Sequence, residues 1–463
     1  VKTMTVGEVY RAIGGRLLQG DEKVAVSRVC IDTRKILSGD LFFALRGENF
    51  DAHDFVEQAV EGGAAALVLS RDIKGLRVQI PVIKVSDTLA GLQALAAYHR
   101  RQFMVPVVGI TGSSGKTTTK DMVASVLESC WTVLKTKGNF NNEIGLPLTL
   151  LEFTQKHSAA VVEMAMRGSG EINALCQIAR PTCAVITNIG TAHLERLGSP
   201  ANIARVKGEL LEHIPADGFA LLPGDSQLAR EQARRCHGQV LFFGLEPGLD
   251  VYARDVCREG AGNRFTVVMG DVEQEVFLPL PGQHNVQNAL AAFGVGIMLG
   301  LSPKQAAAGL SQVTLSGMRM DVVDATINGG TVTIVNDAYN ANPDSTCAAL
   351  QALEEIAANT RRSVAVLGDM LELGTGNVEG HRRVGAAVVR HHVAHLVTVG
   401  ELSRETAQGA HMSGGIPGGI VCCQNNAEAL EVLRGILRPG DVILVKGSRG
   451  MRMEQIIKGL LKD

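Results

Sequence analysis

Little in this chain suits it to a large anionic partner or to a bilayer. Aromatic residues make up 4% of its 463 positions, with a single tryptophan. None is interleaved with the local basic clusters "QARRCHG" and "GMRM", which argues against nucleic acid. Net charge of one sign is also missing: lysine plus arginine (45) nearly balances aspartate plus glutamate (47), so no global field draws in a polyanion. Any anion must be held locally. The nine cysteines contain no C-x-x-C spacing, which leaves zinc and dithiol chemistry without their usual framework and fits a reduced cytosolic interior. Cys422 and Cys423 stand in a strand-like run and read as core packing. A long apolar run is absent too. The N-terminal "VKTMTVGEVY" carries no signal core, and "NALAAFGVGIMLG" is broken by glycines and too short to span a membrane. A soluble, cytoplasmic protein without membrane insertion is expected.

What is present is a rhythm of apolar runs. The length allows two to four domains at roughly 150 residues each, and three blocks emerge. Residues 1–102 mix a short helix, "VGEVYRAIGG", with runs such as "LFFALRG" and "AAALVLS", which predicts a small mixed α/β domain. Residues 103–315 hold "VPVVGIT", "AAVVEMAM", "TCAVITNIG" and "FALLPGD", apolar runs that end in polar or glycine-rich turns, as buried parallel strands do. Residues 316–463 alternate strand and helix plainly, from "TVTIVND" to "DVILVKG", which predicts a Rossmann-like doubly wound sheet. Linkers are expected near Tyr98–Val105 and Val313–Arg319.

The stretch "VVGITGSSGKTTTKDMV" (Val107 to Val123) places Thr111, Gly112, Ser113, Ser114, Gly115, Lys116, Thr117 and Thr118 between a strand and an amphipathic helix. Glycines let backbone N–H groups curl around phosphate oxygens, a lysine supplies a cation, and a threonine at the helix start offers a hydroxyl to Mg2+. The strict G-x-x-x-x-G-K-[ST] spacing is not met, because Ile110 stands where its first glycine would be. ATP or GTP binding is the reading. Alone, such a loop serves kinases, hydrolases and ligases alike.

Three further residues sit near strand ends. Glu163 closes "AAVVE", where a carboxylate either binds the phosphate-bound Mg2+ or forms a structural ion pair. His193 lies in the loop "TNIGTAHLERLGS", a metal ligand, an acceptor-site group or a structural histidine. Lys207 lies on the apolar-patterned helix "ARVKGELLE", where an ordinary lysine would be solvated, and residue chemistry leaves its role open. The histidines of "RHHVAH" (His391, His392, His395) lack a cysteine or aspartate partner in sequence and read as solvated.

With these segments in view, the chain resembles the Mur ligase family, ATP-dependent amide-forming enzymes of cell-wall precursor synthesis. The likeness runs in order through "TGSSGKTTT", "TKGNFNNEIGLP", "VVEMAMRGSGEI", "TNIGTAHLERLGS", "VKGELLE", "GQHNVQNALAA", "DAYNANPDS", "LGDMLELG" and "VKGSRGMRME". The segments "NDAYNANPDS", "GNFNNEIGLP" and "IDTRKILSGDLFFALRGENFDAHDF" are most similar to the branch that adds D-alanyl-D-alanine to a UDP-N-acetylmuramoyl-tripeptide. A D-N-P-R segment, expected of the branch adding the third residue, is absent from the sequence.

The resemblance implies that Lys116 contacts the β- and γ-phosphates and that Thr117, Glu163, His193 and Lys207 hold Mg2+, with Lys207 carbamylated by CO2. It implies ATP contacts by His284, Asn285 and Asn288, by Arg319, and by Asp337, Tyr339 and Asn340 on the ribose and adenine side. Thr33 and Arg34 would hold the uridine-diphosphate end, and Asn139, Asn141 and Asn142 would face the substrate. A monomer that closes over an acyl phosphate is expected; another amino-acid-adding Mur ligase, or a P-loop kinase or hydrolase, is the alternative. Ala165, Met166 and Arg167 depart from the family's G-A-N-type turn.

Overall fold

The computed structural model describes residues 3–73, 78–260, 262–358 and 360–462. It divides into two compact units, one made of Val1–Gly109, Trp131–Met166 and Gly170–Cys183, the other of Ile110–Cys130, Arg167–Ser169 and Ala184–Asp463. Both are mixed α/β, as expected.

In the first unit a five-stranded sheet takes the order Arg16–Gln19, Val82–Lys84, Ala66–Leu69, Asp40–Phe43, Arg28–Cys30. Its inner pairs are parallel and only the Arg16–Gln19 edge is antiparallel. Asp40–Phe43 and Ala66–Leu69 are buried at every residue, which is why they read as unbroken apolar runs. The helix Thr88–Arg100 begins at Asp87, whose carboxylate accepts the N–H groups of Leu89 and Ala90, a satisfied N-cap. The apolar spacing Leu92, Leu95, Ala96 carries the helix through Arg100, so the expected linker at Tyr98 opens on helix. Arg100 is buried and donates to the carbonyls of Ala179 and Phe103. The strands Val133–Lys135 and Ala159–Glu163 pair in parallel, and the second ends on Glu163.

In the second unit, Phe219–Pro223, Gln239–Gly244 and Val251–Glu259 run parallel. The mostly parallel sheet expected here continues into an antiparallel edge. Val251–Glu259, Gly262–Met269 and Val272–Leu278 form an antiparallel meander. The physical reason lies at Gly270–Asp271, where Met269 pairs with Val272 across a two-residue loop and Gly270 takes φ +57°, a hairpin turn too short for a crossover helix.

The C-terminal segment of this unit carries the predicted doubly wound sheet. Its order is Asp321–Ile327, Gly330–Asp337, Val442–Lys446, Ser363–Gly368, His395–Val399, Ile420–Cys423, parallel except at the Asp321–Ile327 edge. Successive residues alternate between two cores: Ala365, Leu367, Val442 and Leu444 pack with one, Val364, Val366, Ile443 and Val445 with the other. That is the period of two expected of a strand covered on both faces. At the edge, Cys423 is buried but Cys422 is exposed, so only one of the pair packs as expected. His392 is largely exposed, as expected, whereas His391 is largely buried. Each places Nδ1 on one oxygen of Glu354, at 2.7 and 2.9 Å, because the helices Pro343–Ala357 and Asn377–Arg390 meet there. Among the described residues no helix is long and apolar enough to cross a membrane.

Candidate active site

The strand Val107–Thr111 is buried throughout and leads through residues 112–115 into the helix Lys116–Glu128. Gly112 has φ +156° and Gly115 φ +75°. A Cβ at Gly112 would stand 1.9 Å from Thr187 Oγ1, and one at Gly115 3.0 Å from Asn288 Oδ1, so both positions need glycine for conformation and for space. The loop is braced by the next strand end. Asn188 Oδ1 accepts the N–H groups of Ser113 (3.0 Å) and Ser114 (2.8 Å), and Thr187 Oγ1 donates to Ser114 O at 2.5 Å. Lys116 Nζ lies 2.9 Å from Gly112 O, folded over its own loop. Thr117 and Thr118 are buried in the first helical turn. The hydroxyl of Thr111, also buried, has no hydrogen-bond partner among the described residues. The outcome is a braced glycine loop that leads into a helix N-terminus beside a lysine, a setting that favours a phosphate.

Around this loop the second unit gathers cations. His193 caps the turn Leu194–Leu197 in the left-handed region, φ +65°. Burial first, then the charges of Lys116, Lys207, Arg196 and Arg167, hold its imidazole down to about 4, so it is neutral at pH 7 with a lone pair to offer. Lys207, at the end of the helix Pro200–Lys207, is 1% exposed. Burial, and next the Lys116 charge, push its ammonium well below the ordinary lysine value. Its amine therefore gives up its proton more readily than a surface lysine does. The sequence departure noted after Glu163 has a structural counterpart here, since Arg167 belongs to this unit and its charge is felt by His193.

Glu163 belongs to the first unit, 3% exposed at its strand end. Asn141 Nδ2 donates to Glu163 Oε1 at 2.8 Å, and Glu163 N donates to Thr136 Oγ1 at 3.0 Å. Asn141 therefore orients this carboxylate. Asn142 Oδ1 accepts from Ile144 N and Gly145 N ahead of the helix Gly145–Leu151, and Asn139 is exposed. Thr33 and Arg34 lie on a 3-10 turn capped by Asp32, which also pairs with the largely exposed Arg34 guanidinium at 2.8 Å.

The remaining expected nucleotide residues are in the second unit. Asn288 packs against Gly115, and its Nδ2 is 3.4 Å from Asn285 Oδ1. Asn285 Nδ2 is held by Pro281 O at 2.7 Å. His284, on the same helix Gln283–Met298, is lowered to about 4, chiefly by burial. The Arg319 guanidinium stacks 3.7 Å over the Tyr339 ring and donates to Ser316 O. Asp337 pairs with Lys446 Nζ at 2.5 Å, and Asn340 O accepts from the same ammonium at 2.9 Å. Sequence reasoning missed Asn188. Its signal was a lone asparagine two residues past the buried strand Cys183–Ile186, with no spacing to tie it to the phosphate loop.

Three family patterns cover this chain: the Mur ligase family catalytic domain over residues 25–100, the Mur ligase middle domain over 110–296, and the Mur ligase glutamate ligase domain over 318–449. The chain belongs to the Mur ligase family. It is similar to the UDP-N-acetylmuramoyl-tripeptide–D-alanyl-D-alanine ligase of Bacillus subtilis, 39% identical over 462 residues that cover 99% of this chain and 98% of that one. The ligase of the same description from Escherichia coli is 34% identical over 469 residues, covering 100% and 99%. Among solved structures, MurF from Acinetobacter baumannii matches with a TM-score of 0.90 at 33% identity, covering all of both chains. The MurF ligase of Thermotoga maritima in complex with ADP matches at 0.82 and 28% identity, over 94% of this chain and 97% of that one. This Mur ligase is thus an ATP-dependent carbon–nitrogen ligase.

Proposed function

We propose that this Mur ligase adds D-alanyl-D-alanine to UDP-N-acetylmuramoyl-tripeptide at the expense of ATP, in the synthesis of peptidoglycan precursor. The observation that carries the reading is full-length likeness to ligases of that description, joined to a phosphate loop set among Lys116, His193 and a buried Lys207. Joining a carboxylate to an amine in water is uphill, so the carboxylate is first activated. Its oxygen attacks the γ-phosphorus of ATP, the bond to the β,γ-bridging oxygen breaks, and ADP leaves behind an acyl phosphate. The dipeptide's amine then adds to the acyl carbon, the tetrahedral intermediate loses a proton from nitrogen, and phosphate departs. Two anions meet in the first step. The helix N-terminus that follows residues 112–115 and the Lys116 ammonium neutralise and align them, the positioning and electrostatic contributions on which phosphoryl transfer depends.

By their motifs, the Thr117 hydroxyl, the buried Glu163 carboxylate, the neutral His193 imidazole and Lys207 as a carbamate would be the ligands of Mg2+. Glu163 joins this set through its matching motif. When bound, the ion supplies charge neutralisation at the phosphates. Asn141 keeps the Glu163 carboxylate turned as its hydrogen bond dictates. We take the chain to work as a cytoplasmic monomer of three domains (1–102, 103–315 and 316–463), with Arg319, Asp337, Tyr339, Asn340, His284, Asn285 and Asn288 toward the nucleotide, and Thr33, Arg34, Asn139 and Asn142 toward the UDP-linked substrate.

The test is incubation with ATP, D-alanyl-D-alanine and UDP-linked tripeptides that differ in their third residue, with products weighed by mass spectrometry. A tripeptide gaining one dipeptide less one water, with ADP released only when all three substrates are present, is expected. ADP released at the same rate without the dipeptide, and no heavier product, would sink the reading in favour of a hydrolase.

A further inference from the structure

The turn that follows the strand Cys183–Ile186 is held from two sides. On one side Gly190 N donates to Ser113 Oγ in the phosphate loop at 2.9 Å. On the other stands Asp344, more than 150 residues later in the chain. One oxygen, Asp344 Oδ2, accepts both the N–H and the hydroxyl of Thr191, at 3.0 and 3.1 Å. The other oxygen accepts from Arg383 Nη1 at 2.8 Å. Gly190 is shaped for this approach, since a Cβ there would stand 2.4 Å from Asp344 Oδ2.

We propose that Asp344 is a positioning residue that sets the Gly190–Thr191 turn, and through it the Ser113 arm of the phosphate loop, for nucleotide binding and phosphoryl transfer. Neither its motif nor the residue types around the nucleotide assign it that role. Asp344 lies in the first turn of the helix Pro343–Ala357, inside the capping box of Asn342 and Ser345. There the backbone is already fixed and the helix dipole favours a carboxylate. Arg383 then fixes the carboxylate's rotation, so both Thr191 donors meet one oxygen. The downstream part of the same loop touches the same segment again: His193 Nδ1 is 3.6 Å from Glu372 Oε2, and a Cβ on Gly374 would stand 2.5 Å from Glu195 Cγ. Placement of the C-terminal segment is thereby transmitted to the loop that braces the phosphates by hydrogen bonds and close packing. The proposal rests on the ligase reading only for its kinetic assay. Nucleotide binding tests it independently.

The experiment compares wild type with Asp344→Ala, Asp344→Asn, Thr191→Val, the Asp344→Ala/Thr191→Val double variant and Gly190→Ala. Each is measured for melting temperature, ADP affinity by calorimetry, and kcat and KM for ATP. Expected for Asp344→Ala is about tenfold weaker ADP binding, the scale of one charged hydrogen bond lost, with a matching rise in the KM for ATP and the melting temperature little changed. Thr191→Val reproduces part of the loss, the double variant is no worse than Asp344→Ala alone, and Asp344→Asn, which keeps an acceptor, recovers part of it. Gly190→Ala, with Asp344 intact, gives the same signature by forcing the carboxylate away, and keeps the test available should Asp344→Ala fold poorly. ADP affinity and KM within twofold of wild type in Asp344→Ala and Gly190→Ala, or losses that multiply in the double variant, would overturn the proposal. Loss of dipeptide transfer with ADP binding behaving as stated would instead count against the ligase reading alone.

Discussion

Asn188 Oδ1 lies 2.8 Å from the backbone N of Ser114 and 3.0 Å from that of Ser113, so one side-chain oxygen gathers two successive amides of the phosphate loop. The same side chain returns a donor, Nδ2, to Ser114 Oγ at 2.5 Å. The loop is therefore shaped before any nucleotide arrives. Replacing Asn188 by leucine keeps the volume and removes the side-chain acceptor; Ser113 N keeps the backbone carbonyl of residue 188, while the Ser114 N–H loses its acceptor, at about 1–3 kcal/mol. ADP binding should weaken by about tenfold to a hundredfold by calorimetry, on the scale of 1.4 kcal/mol per factor of ten. An unchanged affinity would show that the loop holds its shape without this residue.

Gly112 offers a steric test of the same loop. At φ +156°, with its would-be Cβ 1.9 Å from Thr187 Oγ1, no alanine fits without moving the loop or the strand end beside it. Gly112→Ala should abolish detectable ADP binding while leaving far-ultraviolet circular dichroism intact. Adding Thr187→Ala removes the clashing hydroxyl and should restore only part of the binding, since the threonine Cβ itself would be 3.1 Å away and the φ remains unfavourable. Full recovery would mean that the hydroxyl clash alone decides the position.

The contrast between these two residues shows what could be read from the chain. Gly112 and Lys116 announce themselves because a phosphate loop is local: strand, glycines and helix follow each other within about a dozen residues. Glu163 and the alternating cores of Gly330–Asp337, Ser363–Gly368 and Val442–Lys446 were legible for the same reason, since burial on both faces writes itself as continuous apolar strands. Asn188 was not, because its partners lie more than 70 residues away and asparagine after a strand is ordinarily a turn residue. Lys207 sat visibly on an apolar-patterned helix, but periodicity names the face of a helix and not what covers it. The Val251–Leu278 meander escaped because apolar runs specify strands without specifying their direction, and the hairpin at Gly270 outweighed the parallel pattern before it.

Lys207 gives a chemical prediction. Lys207 is 1% exposed, and burial and Lys116 hold its ammonium below the ordinary lysine value; in the proposed carbamate, its deprotonated amine would add CO2 and release one proton. Wild-type protein equilibrated with 13C-bicarbonate should show a carbamate carbon by NMR that is missing in Lys207→Ala. The variant should lose activity by at least about a hundredfold, on the order of 2.7 kcal/mol of transition-state stabilisation, and regain some with a small carboxylate such as acetate. No labelled carbon in the wild type would remove the carbamate from the scheme.

His284 sets a pH dependence of stability. Its ring is lowered to about 4 from 6.5, by burial first, with Asp337 opposing and Lys446 adding to the shift. Between those values the unfolded chain binds a proton that the folded chain refuses, so stability is full above pH 6.5 and falls as the pH drops toward 4. The slope is about 1.4 kcal/mol per pH unit, for a total of roughly 3 kcal/mol. Urea unfolding of wild type and His284→Gln across pH 4 to 7 isolates this contribution. The difference between the two proteins should shrink or reverse toward acid. A constant difference would show that the ring titrates normally.

Asp337 and Lys446 stand directly opposite each other on neighbouring parallel strands, 2.5 Å apart, with Lys446 3% exposed and also donating to Asn340 O. Such a pair gains little over apolar residues of equal size, because desolvating both charges offsets their attraction, yet removing one partner strands the other. Lys446→Met should therefore cost about 3–5 kcal/mol in urea unfolding, and Asp337→Leu a similar amount, while the double variant should lose much less than the two together. ADP affinity separates structure from function in this cycle: if Asp337 also faces the nucleotide, the double variant recovers stability without recovering binding. Strict additivity of the two losses would mean that the charges do not answer each other.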